Sequence, residues 1–394
     1  MQLDFPRPRQ GPVLAGYFTS WSIYARSFPP SSIPAANLSH ILYAFANVRE
    51  DGTVFLSDAW ADTDKHWEGD GWDEPGKNLY GNMKQLNLIK REHPLKLTLS
   101  IGGWSFSSQF AQVSLDPAKR HTFVTSAMAL LADLGLDGLD IDWEYPKSQE
   151  EGRQFLTLLQ ELRMALNEYA VQTGTPENPY LLTCAMPCGP QNYSLLPLAE
   201  MAQVVDLFYL MAYDFSGGWE ATAGHQANLF GGPLSVASAV QYYLNAQVPA
   251  HQLVLGIPLY GRAFENTDGI GHCFSGVGQG SWEAGVYDYK DLPKPGASVH
   301  EDLQMGASWS YDPTTRELIS YDTPAIINLK AQWARDMGLA GIMAWELSGD
   351  RQVESGTNLM AVAQNAFGGG VDTSPPHFVY PLSQYENVRS GFQQ

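Results

Sequence analysis

Eight short β-rich runs recur along this sequence, most of them separated by enough chain for a helix, and that alternation limits the fold more than any other feature. The runs are 13–18 (VLAGYF), 40–46 (HILYAFA), 96–103 (KLTLSIGG), 138–144 (GLDIDWE), 180–187 (YLLTCAMP), 204–213 (VVDLFYLMAY), 253–260 (LVLGIPLY) and 339–346 (LAGIMAWE). Between them, 117–135, 151–172, 234–247 and 323–337 carry apolar residues at helical spacing. Eight strands alternating with helices most simply close into a (β/α)₈ barrel, a TIM barrel of the α/β class. The rival arrangement, a doubly wound open sheet, is disfavoured because no glycine-rich phosphate loop follows the first run.

Two connections are too long for plain barrel loops. Residues 47–77 hold Trp60, Trp67 and Trp72 among acidic and glycine-rich sequence. Residues 263–322, between runs seven and eight, contain short alternating stretches and read as a small α+β subdomain inserted above the barrel mouth. The expected division is therefore an N-terminal extension (1–12), a barrel (13–262 and 323–365), the insertion (263–322) and a C-terminal tail packed on the barrel (366–394).

The fourth run is chemically out of place. In a strand, alternate side chains share a face. Asp140, Asp142 and Glu144 then lie on one side, and Leu139, Ile141 and Trp143 on the other. A parallel barrel strand should be apolar on both faces, and burying neighbouring carboxylates is costly. Such a strand is built for reaction rather than stability. Asp137 faces away from the three and reads as structural.

The net charge of −19 argues against nucleic acid or an anionic membrane as partner. Cys184, Cys188 and Cys273 form no disulfide framework, and no clustered histidines suggest a metal site. No cofactor is expected, and the chain is expected to act as a monomer. Met1 to Pro6 shows no basic-then-apolar leader, and no 18-residue apolar run occurs. The protein therefore either stays inside the cell or begins after a removed leader.

Barrels of this type react at the C-terminal ends of their strands, and the polar and aromatic residues gather there. Tyr17 lies near the end of run one, Phe45 near the end of run two, and Gly102-Gly103-Trp104 closes run three. Glu144 ends run four. Met211 and Tyr213 share a face of run six, with Asp214 next, and Tyr260-Gly261-Arg262 and Trp345-Glu346 end runs seven and eight. Neighbouring carboxylates at a strand end can supply a general acid and support for developing positive charge. Glu144 is placed to be the acid. Spacing alone leaves three nucleophiles open: a carboxylate, an activated water, or a group on the substrate.

The chain resembles the chitinases of glycoside hydrolase family 18, in the pattern of their fungal members. The resemblance rests on the D-G-x-D-x-D-x-E signature at Asp137 to Glu144, on Ser100-Ile101-Gly102-Gly103, on Met211-Ala212-Tyr213-Asp214 and on Gly256 to Arg262. It covers nearly the whole length. Glu346 stands where many fungal members have Asp, and no chitin-binding module is attached. The resemblance implies hydrolysis of β-1,4 bonds in chitin and chitooligosaccharides, with retention, the substrate's own N-acetyl group acting as nucleophile through an oxazolinium intermediate. It implies that Asp142 orients the acetamido group, that Asp140 shares a proton with Asp142, and that Tyr213 contacts the acetamido oxygen. Asp214 would help hold the twisted −1 sugar, with Trp345 beneath it and Tyr17, Phe45 and Met211 closing the pocket. Gly103 lets the backbone approach, and Trp21, Trp104, Trp219 and Arg262 would bind further sugars.

Three other readings compete. Asp140, Asp142 and Glu144 could chelate calcium, although Tyr145 stands where a calcium loop needs glycine. A non-catalytic lectin on the same fold would have lost Glu144, which is present. An endo-β-N-acetylglucosaminidase can share the signature, but the long insertion and tryptophan-rich rim favour a chitin cleft.

Overall fold

The computed structural model describes residues 9–392. Residues 1–8, which include Met1–Pro6 and most of the expected extension, and residues 393–394 of the tail lie outside the described residues.

Eight parallel strands close into a barrel, as the alternation predicts. In chain order they are Val13–Thr19, His40–Val48, Lys96–Gly102, Gly138–Asp142, Leu181–Met186, Leu207–Leu210, Leu253–Pro258 and Gly341–Trp345. We call them barrel strands one to eight. Each pairs with its neighbour, and strand one closes the circle by pairing with both strand two and strand eight. Strand alternation splits the apolar residues into two cores. Leu139, Ile141 and Trp143 join the larger one between strands and helices, where Trp143 packs on Phe110 and Phe155. The smaller one fills the barrel interior with Val13, Ala15, Tyr17, Leu42, Tyr209 and Met343 among others.

The helices begin where local chemistry allows. Pro117–Leu134 starts behind Asp116, whose carboxylate accepts the Ala118 and Lys119 N–H groups, and ends at Gly135 with φ 68°. Gln149–Gln172, Val236–Asn245 and Pro324–Asp336 fill the other predicted helical stretches. Among the described residues, no helix is long and apolar enough to cross a membrane. The three cysteines are free, with only Cys273 exposed.

The structure redraws two regions. Part of the long connection after strand two folds back as Val54–Leu56, antiparallel to strand two, before a π-helical turn at Trp60–Asp64. The inserted segment is a five-stranded antiparallel sheet in the order Val286–Asp288, Tyr260–Phe264, Glu317–Ser320, Ala307–Asp312, Ser298–Asp302. Its helical content is a single 3₁₀ turn, Tyr289–Asp291. Tyr260 to Arg262 therefore open the inserted sheet instead of ending strand seven, because the strand breaks after Pro258, which can donate no ladder hydrogen bond.

The tail runs as a strap under the N-terminal face of the barrel. Asp372 accepts from Lys96 Nζ at 3.0 Å and from Gln10 N at 2.9 Å, and its own N–H donates to Pro12 O at 2.7 Å. His377 N donates to Asp137 Oδ1 at 2.6 Å, and its ring stacks on Tyr180. Further on, Asn387 pairs with the backbone of Leu79 in both directions.

Candidate active site

Strand four ends at Asp142, two residues earlier than its apolar alternation suggests, so Glu144 sits beyond the strand. Asp140 still points into the barrel, fully buried, at the level where strands three, four and five bring Ser100, Asp140 and Thr183 into register. That register supplies its hydrogen bonds. Ser100 Oγ donates to Asp140 Oδ2 at 2.7 Å, Thr183 Oγ1 donates to Oδ1 at 2.7 Å, and Tyr17 OH reaches Oδ2 at 3.0 Å across the lumen. With both oxygens engaged by hydroxyls, the calcium reading loses its first ligand.

Asp142 lies one layer up, and its Oδ1 is buried without a hydrogen-bond partner. Burial raises its carboxyl well above the usual range, and the charges of Glu144 and Asp140 push the same way. Glu144 is pushed up to about 7, first by burial; the Tyr145 hydroxyl opposes this and the charge of Asp214 adds to it. Burial also raises Asp140, against the pull of its three hydroxyl donors. Among the described residues, no ion pair reaches Asp140, Asp142 or Glu144.

Two glycines make room for this group. Gly102 has φ 115°, and a Cβ there would fall 2.1 Å from Asp142 O; Gly103 has φ 79°, and a Cβ would strike the Phe45 ring at 2.6 Å. The chain then turns tightly enough for Gly103 N to donate to Asp142 O at 2.8 Å, leaving Trp104 exposed on the rim. Ser107 braces the same turn, accepting the Glu144 N–H at 2.8 Å.

Around the carboxylates opens a cleft of about 910 Å³. Its lining includes Tyr17, Trp21, Phe45, Trp104, Asp142, Glu144, Met211, Tyr213, Asp214, Trp219, Arg262 and Trp345, so these sequence-predicted residues are brought together. Asp140 lies below the cleft and Gly103 behind Phe45. Tyr17, Phe45 and Trp345 form one aromatic group, with ring centres 5.1 Å (Tyr17–Trp345) and 5.6 Å (Phe45–Trp345) apart. Non-proline cis peptides occur at Ala44–Phe45, Glu144–Tyr145 and Trp345–Glu346. Asp214 is held by Tyr260 OH at 2.7 Å and Arg262 Nε at 2.8 Å, and the Arg262 guanidinium lies 5.0 Å from the Trp219 ring centre.

The sequence reading missed Tyr145, Arg26, Trp282 and Asp288, which also line the cleft. Tyr145 follows Glu144 directly and could have been read from the motif. The other three carry no local signal, because they meet only through the packing of the inserted sheet on the barrel.

The family model for glycosyl hydrolases family 18 matches residues 13–350. The chain belongs to that family. Chitinase 1 of Aphanocladium album is 44% identical over 385 residues, 96% of this chain and 90% of the relative. The catalytic domain of a psychrophilic chitinase B from Arthrobacter TAD20 superposes with a TM-score of 0.84 at 28% identity, covering 93% of this chain and 98% of that one. A class V chitinase from Nicotiana tobaccum, solved in complex with NAG4, superposes with a TM-score of 0.77 at 26% identity over 91% of this chain and 99% of that one. The carboxylate signature of this chain thus sits on a barrel that superposes on those of solved chitinases.

Proposed function

We propose that this family-18 enzyme is a chitinase that cleaves β-1,4 bonds between N-acetylglucosamine units with net retention, using the substrate's acetamido oxygen as nucleophile. Activity on chitin follows from the fungal relatives, and chitooligosaccharide as ligand from the plant complex. The assignment of roles rests on one observation above the others: the buried, unpartnered Oδ1 of Asp142 beside Glu144. A buried acceptor lacking a donor is costly, and a substrate acetamido N–H would supply one.

The steps follow from the electrostatics. Glu144, neutral up to about pH 7, protonates the leaving oxygen. The acetamido oxygen closes on the anomeric carbon as that bond breaks, and Asp142 accepts the acetamido N–H, stabilising the positive charge that develops there. Asp140 is the better hydrogen-bonded of the two, since three hydroxyl donors suit a carboxylate and leave the shared proton to Asp142. Tyr213 contacts the acetamido oxygen, and Asp214, fixed by Tyr260 and Arg262, holds the sugar at the scissile bond over Trp345. Water then opens the ring with Glu144 acting as base.

Incubation with N-acetylglucosamine oligomers of several lengths, with products resolved by size and anomer, tests this reading. The β-anomer is expected first. Initial α-anomers would exclude net retention, and cleavage confined to glycoprotein glycans would favour the endo-β-N-acetylglucosaminidase reading.

A further inference from the structure

We propose that Arg26 is a positioning residue: it locks the Trp282 hairpin of the inserted sheet onto the barrel rim and so sets how firmly the cleft grips long oligosaccharides. The inference rests on the reading of the cleft as a chitin site.

Three distant parts of the chain meet at this one guanidinium. Arg26 comes from the connection after strand one, Asp288 from the edge strand Val286–Asp288 of the inserted sheet, and Glu346 from just past strand eight. Arg26 Nη1 lies 3.1 Å from Asp288 Oδ1 and 3.0 Å from Glu346 Oε1, and both carboxylates are buried. The remaining bonds of Glu346 are local, from Ser348 N at 2.9 Å and Ser348 Oγ at 2.6 Å. Arg26 is therefore what ties the end of strand eight to the inserted sheet at this point. Lys290 adds a second tie, from Asp288 Oδ2 at 3.3 Å to Ser348 O at 2.7 Å.

The same guanidinium fixes Trp282 twice. It lies 5.1 Å from the indole ring centre, within cation–π range. It also holds Asp288, whose Oδ2 accepts the Trp282 Nε1–H at 2.8 Å. Trp282 remains half exposed on the cleft wall. The backbone beside it is tied to the sheet, Ser281 donating its N–H to Val286 O at 2.8 Å and accepting the Asp288 N–H on Oγ at 3.0 Å, so what Arg26 and Asp288 fix is the indole itself.

An apolar platform adds to binding in proportion to how little ordering it still needs. A pyranose stacked on a pre-fixed indole gains more than one stacked on an indole free to swing. The gain reaches only a chain long enough to extend from Glu144 to this wall. Arg26 thereby becomes a determinant of chain-length preference without touching the reacting atoms.

The test is steady-state kinetics of wild type, Arg26→Ala, Trp282→Ala and the double variant on an N-acetylglucosamine hexamer and on an aryl chitobioside. Arg26→Ala is expected to raise KM for the hexamer about tenfold and for the short substrate by a smaller factor. The double variant should be no worse on the hexamer than Trp282→Ala alone, since both changes disable one platform. Arg26→Lys keeps the charge but loses the fork, so it should recover part of the loss. Equal changes on both substrates, or additive losses in the double variant, would overturn the proposal. A wild-type enzyme inert on the hexamer would instead overturn the functional reading. If Arg26→Ala does not fold, the same length comparison is made with Arg26→Lys, where an unchanged hexamer-to-short KM ratio counts against the proposal.

Discussion

The two ends of strand four treat their carboxylates in opposite ways. At the floor, Asp137 faces a cation: Lys90 Nζ is 3.1 Å from its Oδ2, which also accepts Leu97 N at 2.8 Å, while Oδ1 takes the His377 N–H. At the mouth, Asp142 and Glu144 have no ion-pair partner among the described residues, and burial holds both towards the neutral form. The floor repeats its pattern elsewhere, with Lys96 paired to Asp372 and Arg163 to Asp206. Within one strand, then, a compensated acid marks support and an uncompensated one marks work. The signature motif joins the two, which is why Asp137 belongs to it without belonging to the cleft.

The comparison can be broken at either end. The largest effect is expected from Glu144→Gln, which keeps the shape and removes the proton: kcat should fall by about 10²–10⁴-fold while oligosaccharide binding by calorimetry persists. Turnover near wild type would remove Glu144 from the role of acid. Next comes Asp137→Ala, which strands Lys90 and two backbone N–H groups in the interior. Denaturant unfolding should show a loss of about 3–5 kcal/mol, with kcat of the folded fraction retained. A drop in kcat at unchanged stability would erase the distinction between the ends.

The smallest effect lies in the pH dependence of stability. Burial pushes Glu144 up to about 7 in the folded chain, from an ordinary value of 4.5. The fold favours the neutral acid, so its contribution is fully present below about pH 4.5 and is lost as pH rises through 7. Glu144→Gln cannot lose it, and should gain on wild type by about 1–3 kcal/mol between those limits, at about 1.4 kcal/mol per unit with allowance for partial exposure. Parallel stability–pH curves would show that the mouth carries no such cost.

Much of this was legible from the sequence because it depends on short-range periodicity. Alternation alone placed Asp140 and Asp142 inside the barrel and Trp143 outside, and the eight runs and their helices predicted the closure. What periodicity does not carry is register between strands. That Ser100 and Thr183 would flank Asp140, and that Tyr17 would reach it across the lumen, depends on how three strands slide past one another. The early end of strand four and the break after Pro258 were hidden by apolar residues that continue the pattern beyond the ladder. The grouping of Arg26 and Asp288 with Glu346 was beyond reach for a further reason: the first two are ordinary charged residues in their own segments, and only the docking of the inserted sheet brings them to the end of strand eight.

The strap under the barrel bears on how the protein is made. All eight strands and every proposed catalytic group precede residue 346, yet Asp372, the counter-charge of Lys96, and the His377 N–H that caps Asp137 come later. A chain growing on the ribosome therefore completes its chemistry before it neutralises its floor. A premature stop between the last helix, Leu359–Ala366, and Asp372 would release a product with all its proposed reacting groups and an unbalanced base. Its failure would be one of proteolysis and solubility, and assays of crude extract would mistake it for a defect in catalysis.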